Sequence, residues 1–292
     1  MQNAAPFHLK HKPSAKSLIG NLALKLIKNR WHTSNRIEPD ENIYLLKNLM
    51  VSTENLIRYE TLCGFSTSIY LPITYPHILA FRLQFYALLK SPIAFSPMGL
   101  IHLSNHITQF KAIPRQAALD ITTHITKTRE TRLGLEITLT TQVFIENESL
   151  WQSESIFLNK KSSSLDFDFL SFKKEHKNLT KKTETWQLPK NLGLAYACIS
   201  EDFNPIHLSK VSAKLFGFNQ AIAHGMWSKA RCLAALNLHN NPFIKTKVHF
   251  KSAIFLPTSV SFYSEQKNGG ISFSLLNKKS GRPYLTGHLH TK

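Results

Sequence analysis

Between residues 75 and 90 the chain sets Ile78, Leu79, Phe81, Leu83, Phe85, Tyr86 and Leu88 around most of the circumference of a helix. A helix apolar on nearly every side must be wrapped by other elements. The residues that follow supply the wrapping. Segments 100–107, 117–128, 133–145 and 150–158 read as strands, with Thr and Ile alternating at 121–125 and 135–139. A shorter helix is predicted ahead of them, at 54–63. The second half repeats this order. Helices are predicted at 192–200, at 208–216 and, longest, at 224–238; strands follow at 246–255, 259–264, 271–276 and 284–290. Asn268-Gly269-Gly270 and Ser280-Gly281-Arg282-Pro283 mark turns among the last strands. Helices segregated from runs of antiparallel strands make an α+β fold, here built twice. Identity between the halves is slight, so the duplication rests on order and period.

This divides the chain into a basic N-terminal extension (1–45), a first domain (46–160), a polar connector (161–185) and a second domain (186–292). The connector opens on a Lys-Ser run after Lys160 and closes near Lys181-Lys182, though Leu165, Phe167, Phe169, Leu170 and Phe172 interrupt its polarity. The extension holds seven Lys/Arg and no acid before Glu38. Within it, Leu18, Leu22 and Leu26, and beside them Ile19, Ala23 and Ile27, recur at helical spacing, with Asn21, Lys25 and Lys28 opposite. The expected arrangement is a helix docked on its own domain. Contact of this basic helix with a membrane surface is the second reading. No apolar run is long enough to span a bilayer, and no small-residue cleavage site follows to suggest a signal peptide.

At 292 residues and 42% hydrophobic, the chain can bury a sizeable core. Cys63, Cys198 and Cys232 show no metal-ligand spacing and are too few for a disulfide framework, which fits a reducing, cytoplasmic setting. The formal net charge of +18 favours anionic partners such as nucleic acid, anionic lipid, coenzyme A phosphates or an acidic carrier protein. No zinc-finger, RNA-recognition or basic-zipper pattern accompanies it, so nucleic acid is not the expected partner.

The segment most suggestive of chemistry is Ser200-Glu201-Asp202-Phe203-Asn204-Pro205-Ile206-His207. Pro205 suits the first turn of a helix and Asn204 its N-cap. The tight reversal can turn Asp202 and His207 toward one cavity. A carboxylate beside an imidazole can hold a water and divide proton transfer between them. Downstream, Ile222-Ala223-His224-Gly225-Met226-Trp227 opens the longest helix of this half. Its first N–H groups lack intrahelical acceptors, and Gly225 would let a carbonyl approach them. Taken singly, Asp202 and Asn204 are equally well read as turn and cap residues. His207 and His224-Gly225 are more simply a capping histidine and a helix start. Only their combination points to a site.

That combination resembles the MaoC-like hydratase/dehydratase family, which includes the (R)-specific enoyl-CoA hydratases. The similarity lies in Tyr196-Ala197, Ser200, Asp202, Asn204-Pro205-Ile206-His207, Ala213, Gly217-Phe218 and Ile222-Ala223-His224-Gly225-Met226. It continues in Val248-His249-Phe250-Lys251 through Leu256-Pro257, and at Gly287. More faintly, 71–81 and 95–102 resemble the non-catalytic half of two-domain members. The resemblance implies a double hot-dog fold, two antiparallel sheets each wrapped around a long central helix. It implies interconversion of trans-2-enoyl and (R)-3-hydroxyacyl thioesters of coenzyme A or acyl carrier protein, with no cofactor and no metal. Asp202 and His207 would handle water and protons, Asn204 would brace their loop, and the Gly225 N–H would polarise the thioester carbonyl. His224 and Met226, with Phe81, Phe85 and Tyr86 from the first half, would contact substrate. The assembly would be a monomeric pseudo-dimer or a homodimer. Glu201 departs from the pattern, standing where glycine is frequent; it is expected to face solvent, or else to raise the Asp202 pKa as a second acid. The first half lacks the Asp-x-Asn-Pro-x-His motif, and its His77 and His102 read as a helix-start and a strand histidine. Two other functions stay open, a catalytically silent acyl-thioester-binding protein and a basic nucleic-acid-binding protein.

Overall fold

The computed structural model of the protein describes residues 6–31, 37–39, 41–95, 97–160, 182–238, 241–267 and 269–292. The first half runs β1 (Phe7–Leu9), α1 (Ala15–Trp31), β2 (Tyr44–Leu49), α2 (Thr53–Cys63), α3 (Tyr75–Leu79), α4 (Phe81–Lys90), then β3 (Ile101–Gln109), β4 (Leu119–Thr131), β5 (Gly134–Ile145) and β6 (Glu148–Lys160). The second runs β7 (Lys182–Leu188), α5 (Leu192–Ser200), α6 (Pro205–Leu208), α7 (Lys210–Lys214), α8 (Gly225–Ala235), then β8 (Ile244–Phe250), β9 (Thr258–Lys267), β10 (Gly270–Asn277) and β11 (Pro283–Thr291).

The strands form one continuous sheet in the order β1-β2-β4-β5-β6-β3-β8-β11-β10-β9-β7. This order reads as two matching five-strand sets placed back to back. The strand before each central helix (β2, β7) lies outermost of its set, and the first strand after it (β3, β8) lies at the seam. The duplication inferred from the order of elements is therefore present in the strand order. The expected two antiparallel sheets are fused into one, because β3 and β8 pair antiparallel from Ser104↔His249 to Gln109↔Ile244. Fusion satisfies two rows of edge N–H and C=O groups that would otherwise be exposed. One pairing is parallel, β1 against β2 at the outer edge.

Each half of the sheet wraps its helix, and one apolar core runs through both, including Ile78, Leu83, Ile107 and Trp151 with Ala230, Leu233, Val248 and Phe262. The predicted helix over 75–90 is two, α3 and α4. Ala80 between them has ψ −11, away from the helical value. Backbone bonds still bridge the break, Ala80 N–H to Pro76 O and Gln84 N–H to Ala80 O. Likewise the helix expected at 208–216 is replaced by α6 and α7. Ser209 between them is extended, with φ −157, and caps α7 through a reciprocal bond with Ser212.

Three strands went unforeseen. β1 and β2 lie in or beside the basic extension, and β7 begins inside the expected connector, the rest of which (161–181) lies outside the described residues. α1 is docked on the body, as expected, but on a different face. Leu18 and Lys25 are buried and Ile19 is 67% exposed. Lys25 Nζ donates to Ser91 O at 2.7 Å and to Ile93 O at 3.0 Å, and lies over the Phe95 ring. A long cationic side chain can cross apolar surface to reach carbonyls, so charge alone misassigned the outward face. No helix among the described residues is long and apolar enough to cross a membrane.

Candidate active site

A cavity of about 910 Å³ opens beside the start of α8. That volume is near the top of the range of roughly 300–1,000 Å³ that holds drug-sized ligands. Its wall combines the 200–207 loop and the start of α8 with α4 and part of α1.

The local fold fixes each group on that wall. α5 ends at Glu201, a non-glycine residue held left-handed at φ 64. This reverses the chain so that Asp202 turns back over α8. The Asp202 N–H donates to Ser200 Oγ at 3.3 Å, and Asp202 Oδ1 accepts from the Asn204 N–H at 3.2 Å. Asn204 caps α6 by accepting from the Ile206 N–H, and its Nδ2 reaches Met98 O at 3.5 Å. α6 then presents His207, whose Nδ1–H donates to Ile222 O at 2.8 Å. That bond fixes the tautomer: Nε2 carries the lone pair. His224, N-cap of α8, donates from Nε2 to Asp202 O at 3.0 Å, and its ring stacks on His207 with centroids 3.6 Å apart. Ligating-type atoms of Asp202, His207 and His224 all lie within 4.8 Å of one another.

Burial sets the electrostatics. It raises Asp202 above the ordinary carboxylate range, against the pull of His207 and the Asn204 N–H. It lowers His207, against the pull of Asp202, and pushes His224 well below the usual imidazole value. Both imidazoles are therefore neutral near pH 7, and their close stacking carries no repulsion between charges. Asp202 keeps 28% of its side chain exposed and remains reachable from the cavity. The same three residues are the only cluster that could hold a metal ion among those described. His207 Nδ1 and His224 Nε2 are spent on carbonyls, which leaves one nitrogen on each ring and the Asp202 carboxylate facing a space that a water molecule can occupy.

Of the expected substrate contacts, His224, Met226, Phe81 and Phe85 line the cavity with Asp202, Asn204, His207 and Gly225. Tyr86 does not. It turns to the other side of α4, edge-on to Tyr44, because residues 85 and 86 are a hundred degrees apart on a helix of 3.6 residues per turn. Glu201 does not face solvent. It pairs with Lys12 and with Arg82, whose Nη2 lies 2.8 Å from its Oε1. Arg82 Nη1 also donates to Pro13 O at 3.3 Å. The N-terminal arm, α4 and the residue before Asp202 are thus joined by charge. Two further contributors went unrecognised. A Cβ on Gly193 would stand 2.0 Å from His207 O, so only glycine lets α5 support the His207 turn. Phe250 packs its ring against Gly225.

Residues 172–281 match the family model for the MaoC-like domain. The chain is 30% identical over 241 residues to 3-hydroxyacyl-thioester dehydratase X of Mycobacterium tuberculosis, covering 82% of this chain and 86% of that protein. The crystal structure of HtdX of the same organism superposes with TM-score 0.76 at 27% identity, over 86% of this chain and 100% of that one. A MaoC-like dehydratase from Phytophthora capsici shares the fold, with TM-score 0.67 at 17% identity over 86% and 95% of the two chains. With this degree of identity along most of its length, and with the double hot-dog fold around the site, the chain belongs to the MaoC-like dehydratase family.

Proposed function

We propose that the protein is a hydro-lyase interconverting trans-2-enoyl and (R)-3-hydroxyacyl thioesters, linked to coenzyme A or to acyl carrier protein. The observation that carries this reading is the tautomer of His207. Its Nδ1–H is committed to Ile222 O, which leaves Nε2 as an acceptor near the Asp202 carboxylate. In the hydration direction, a water held between Asp202 and His207 loses a proton to the pair as its oxygen bonds C3. The pair returns a proton to C2 on the same face, so addition is syn. The transient enolate oxygen faces the Gly225 N–H, where the positive end of α8 favours it. Asn204 holds the loop and Gly193 supports the turn beneath it. The printed name of the tuberculosis relative, a 3-hydroxyacyl-thioester dehydratase, supports the substrate class.

The test is a spectrophotometric assay with crotonyl-CoA and a longer trans-2-enoyl-CoA, and with the same acyl groups on acyl carrier protein, with chiral analysis of the product. Reversible formation of the (R)-3-hydroxyacyl thioester is expected. No product at any chain length, on either carrier, overturns the activity; an (S) product overturns the stereochemistry.

A further inference from the structure

The cavity is not apolar throughout. On the wall built by the first half, His77 of α3, Gln84 of α4 and His102 of β3 line the same space as Asp202 and His207. Gln84 Nε2 lies 3.4 Å from His77 Nδ1 and donates to Thr141 Oγ1 at 3.0 Å. An amide nitrogen only donates, so His77 Nδ1 accepts and the proton of that ring sits on Nε2. His102 Nε2 is buried without a hydrogen-bond partner. The two rings lie 6.4 Å apart and nearly parallel, at 17°. Both are neutral: burial, with Lys229 adding to it, pushes His77 down to about 3 and His102 well below its usual value. His77 therefore offers an N–H and His102 an unpartnered Nε2, with no charge on either ring.

A buried polar nitrogen left unpaired is costly and calls for a partner. Of the uncharged groups an acyl chain can carry, a hydroxyl can accept from His77 and either donate to or accept from His102. A keto group could only accept, and a plain hydrocarbon would strand both nitrogens. The position along a bound chain follows from Phe250. Its ring packs on Gly225 and lies 4.8 Å from the His102 ring, with Phe157 4.5 Å from that ring as well. The pair thus lies one aromatic ring away from the start of α8, where the thioester carbonyl would be held.

We propose that His77 and His102 form a recognition site for a hydroxyl group carried on the acyl chain beyond the reacting carbons, so that hydroxylated acyl thioesters are bound in preference to plain ones. This deepens the hydro-lyase reading and rests on it for the direction in which the chain enters. The experiment is calorimetric binding of saturated acyl-CoAs to the full-length protein, comparing a plain chain with matched chains hydroxylated or oxidised to the ketone at each carbon from C5 to C12. Crotonyl-CoA turnover is measured in parallel. One hydroxyl position should bind at least about tenfold tighter than the plain chain, since a site built to hydrogen-bond a hydroxyl rejects the analogue that lacks it. The matching ketone should lose most of that gain. His77→Phe and His102→Phe should each collapse the ratio toward one. If either variant fails to fold, the positional preference of the unaltered protein still decides. Equal binding of plain and hydroxylated chains at every position overturns the site, as does a preference that survives both substitutions. Hydroxyl-selective binding without crotonyl-CoA turnover would instead fault the reaction and leave the site standing.

Discussion

The two halves follow one order of elements and differ in the passage from the short helix to the central one. In the first half residues 64–74 run from α2 to α3 with no helix between. In the second, residues 201–224 run from α5 to α8 and fold α6 and α7 on the way. Asp202, Asn204 and His207 all lie in that extra length. The sheet and central helix are common property, and the candidate chemistry resides in an elaborated connection, as it does on many scaffolds. The plainer half has a different share. It contributes Phe81, Phe85, His77 and His102 to the cavity, and through Arg82 it grips the residue before Asp202.

Separating the halves should break the arrangement most completely. A fragment of residues 183–292 would expose β8 and lose the wall of α4; insolubility or self-association is expected by light scattering. A soluble monomer of full activity would make the first half an independent domain. Next in size, Asp202→Asn and His207→Gln should each lower kcat by at least about 10²-fold while circular dichroism stays unchanged. Retained activity in either would put the chemistry elsewhere. Arg82→Ala tests whether the first half positions the second: about a tenfold loss of kcat is expected, since small misplacements of a reacting group are expensive, and an unchanged kcat would reduce the Glu201 cluster to a surface contact. Phe81→Ala and Phe85→Ala should shift relative kcat/KM among chain lengths by roughly 3- to 10-fold, with crotonyl-CoA least affected.

The smallest effect concerns protons. In the proposed mechanism the active form has Asp202 ionised, and burial raises its pKa, so the acid limb of kcat/KM should lie above the ordinary carboxylate value of about 4. The sign for stability is opposite. A folded pKa raised above the unfolded one means that the folded state binds the proton more tightly. The stability this confers is present at low pH and is lost as pH rises through the interval between the two values. At pH 7 the ionised carboxylate is a net cost, so Asp202→Asn should raise Tm slightly, on the order of 2 °C, even as activity disappears. A lower Tm would mean that the bond from Asn204 N–H outweighs burial.

Much of this was legible in the amino-acid order. Strand periodicity located all four strands after each central helix, and the 196–226 pattern marked the residues that gather at the cavity. The rest is hidden in the sequence for physical reasons. β7 alternates in Glu184, Trp186 and Leu188, the last two buried, but the lysines ahead of it resemble a linker. The bend at Ala80 has no glycine or proline to announce it. Lys25 reads as outward by its charge, although its stem crosses apolar surface to buried carbonyls. Glu201 carried a signal, since a position that favours glycine is often left-handed. Its partners Lys12 and Arg82 are far away in sequence and could not be inferred from it. His77 and His102 looked ordinary because each is ordinary in its own element; only the closing of the fold brings them to one wall.

During synthesis β3 emerges long before the strand that will cover it. At about 5–20 residues per second, the ribosome needs on the order of ten seconds after Gln109 to deliver β8. Through that interval the first half can wrap its own helix and stand waiting with one open edge. The later half is then threaded onto a surface already made, and its Lys229, buried against Asn105 from 124 residues away, closes the joint. The first half thus serves as the template on which the second is completed, and the pocket comes into being only when both have been made.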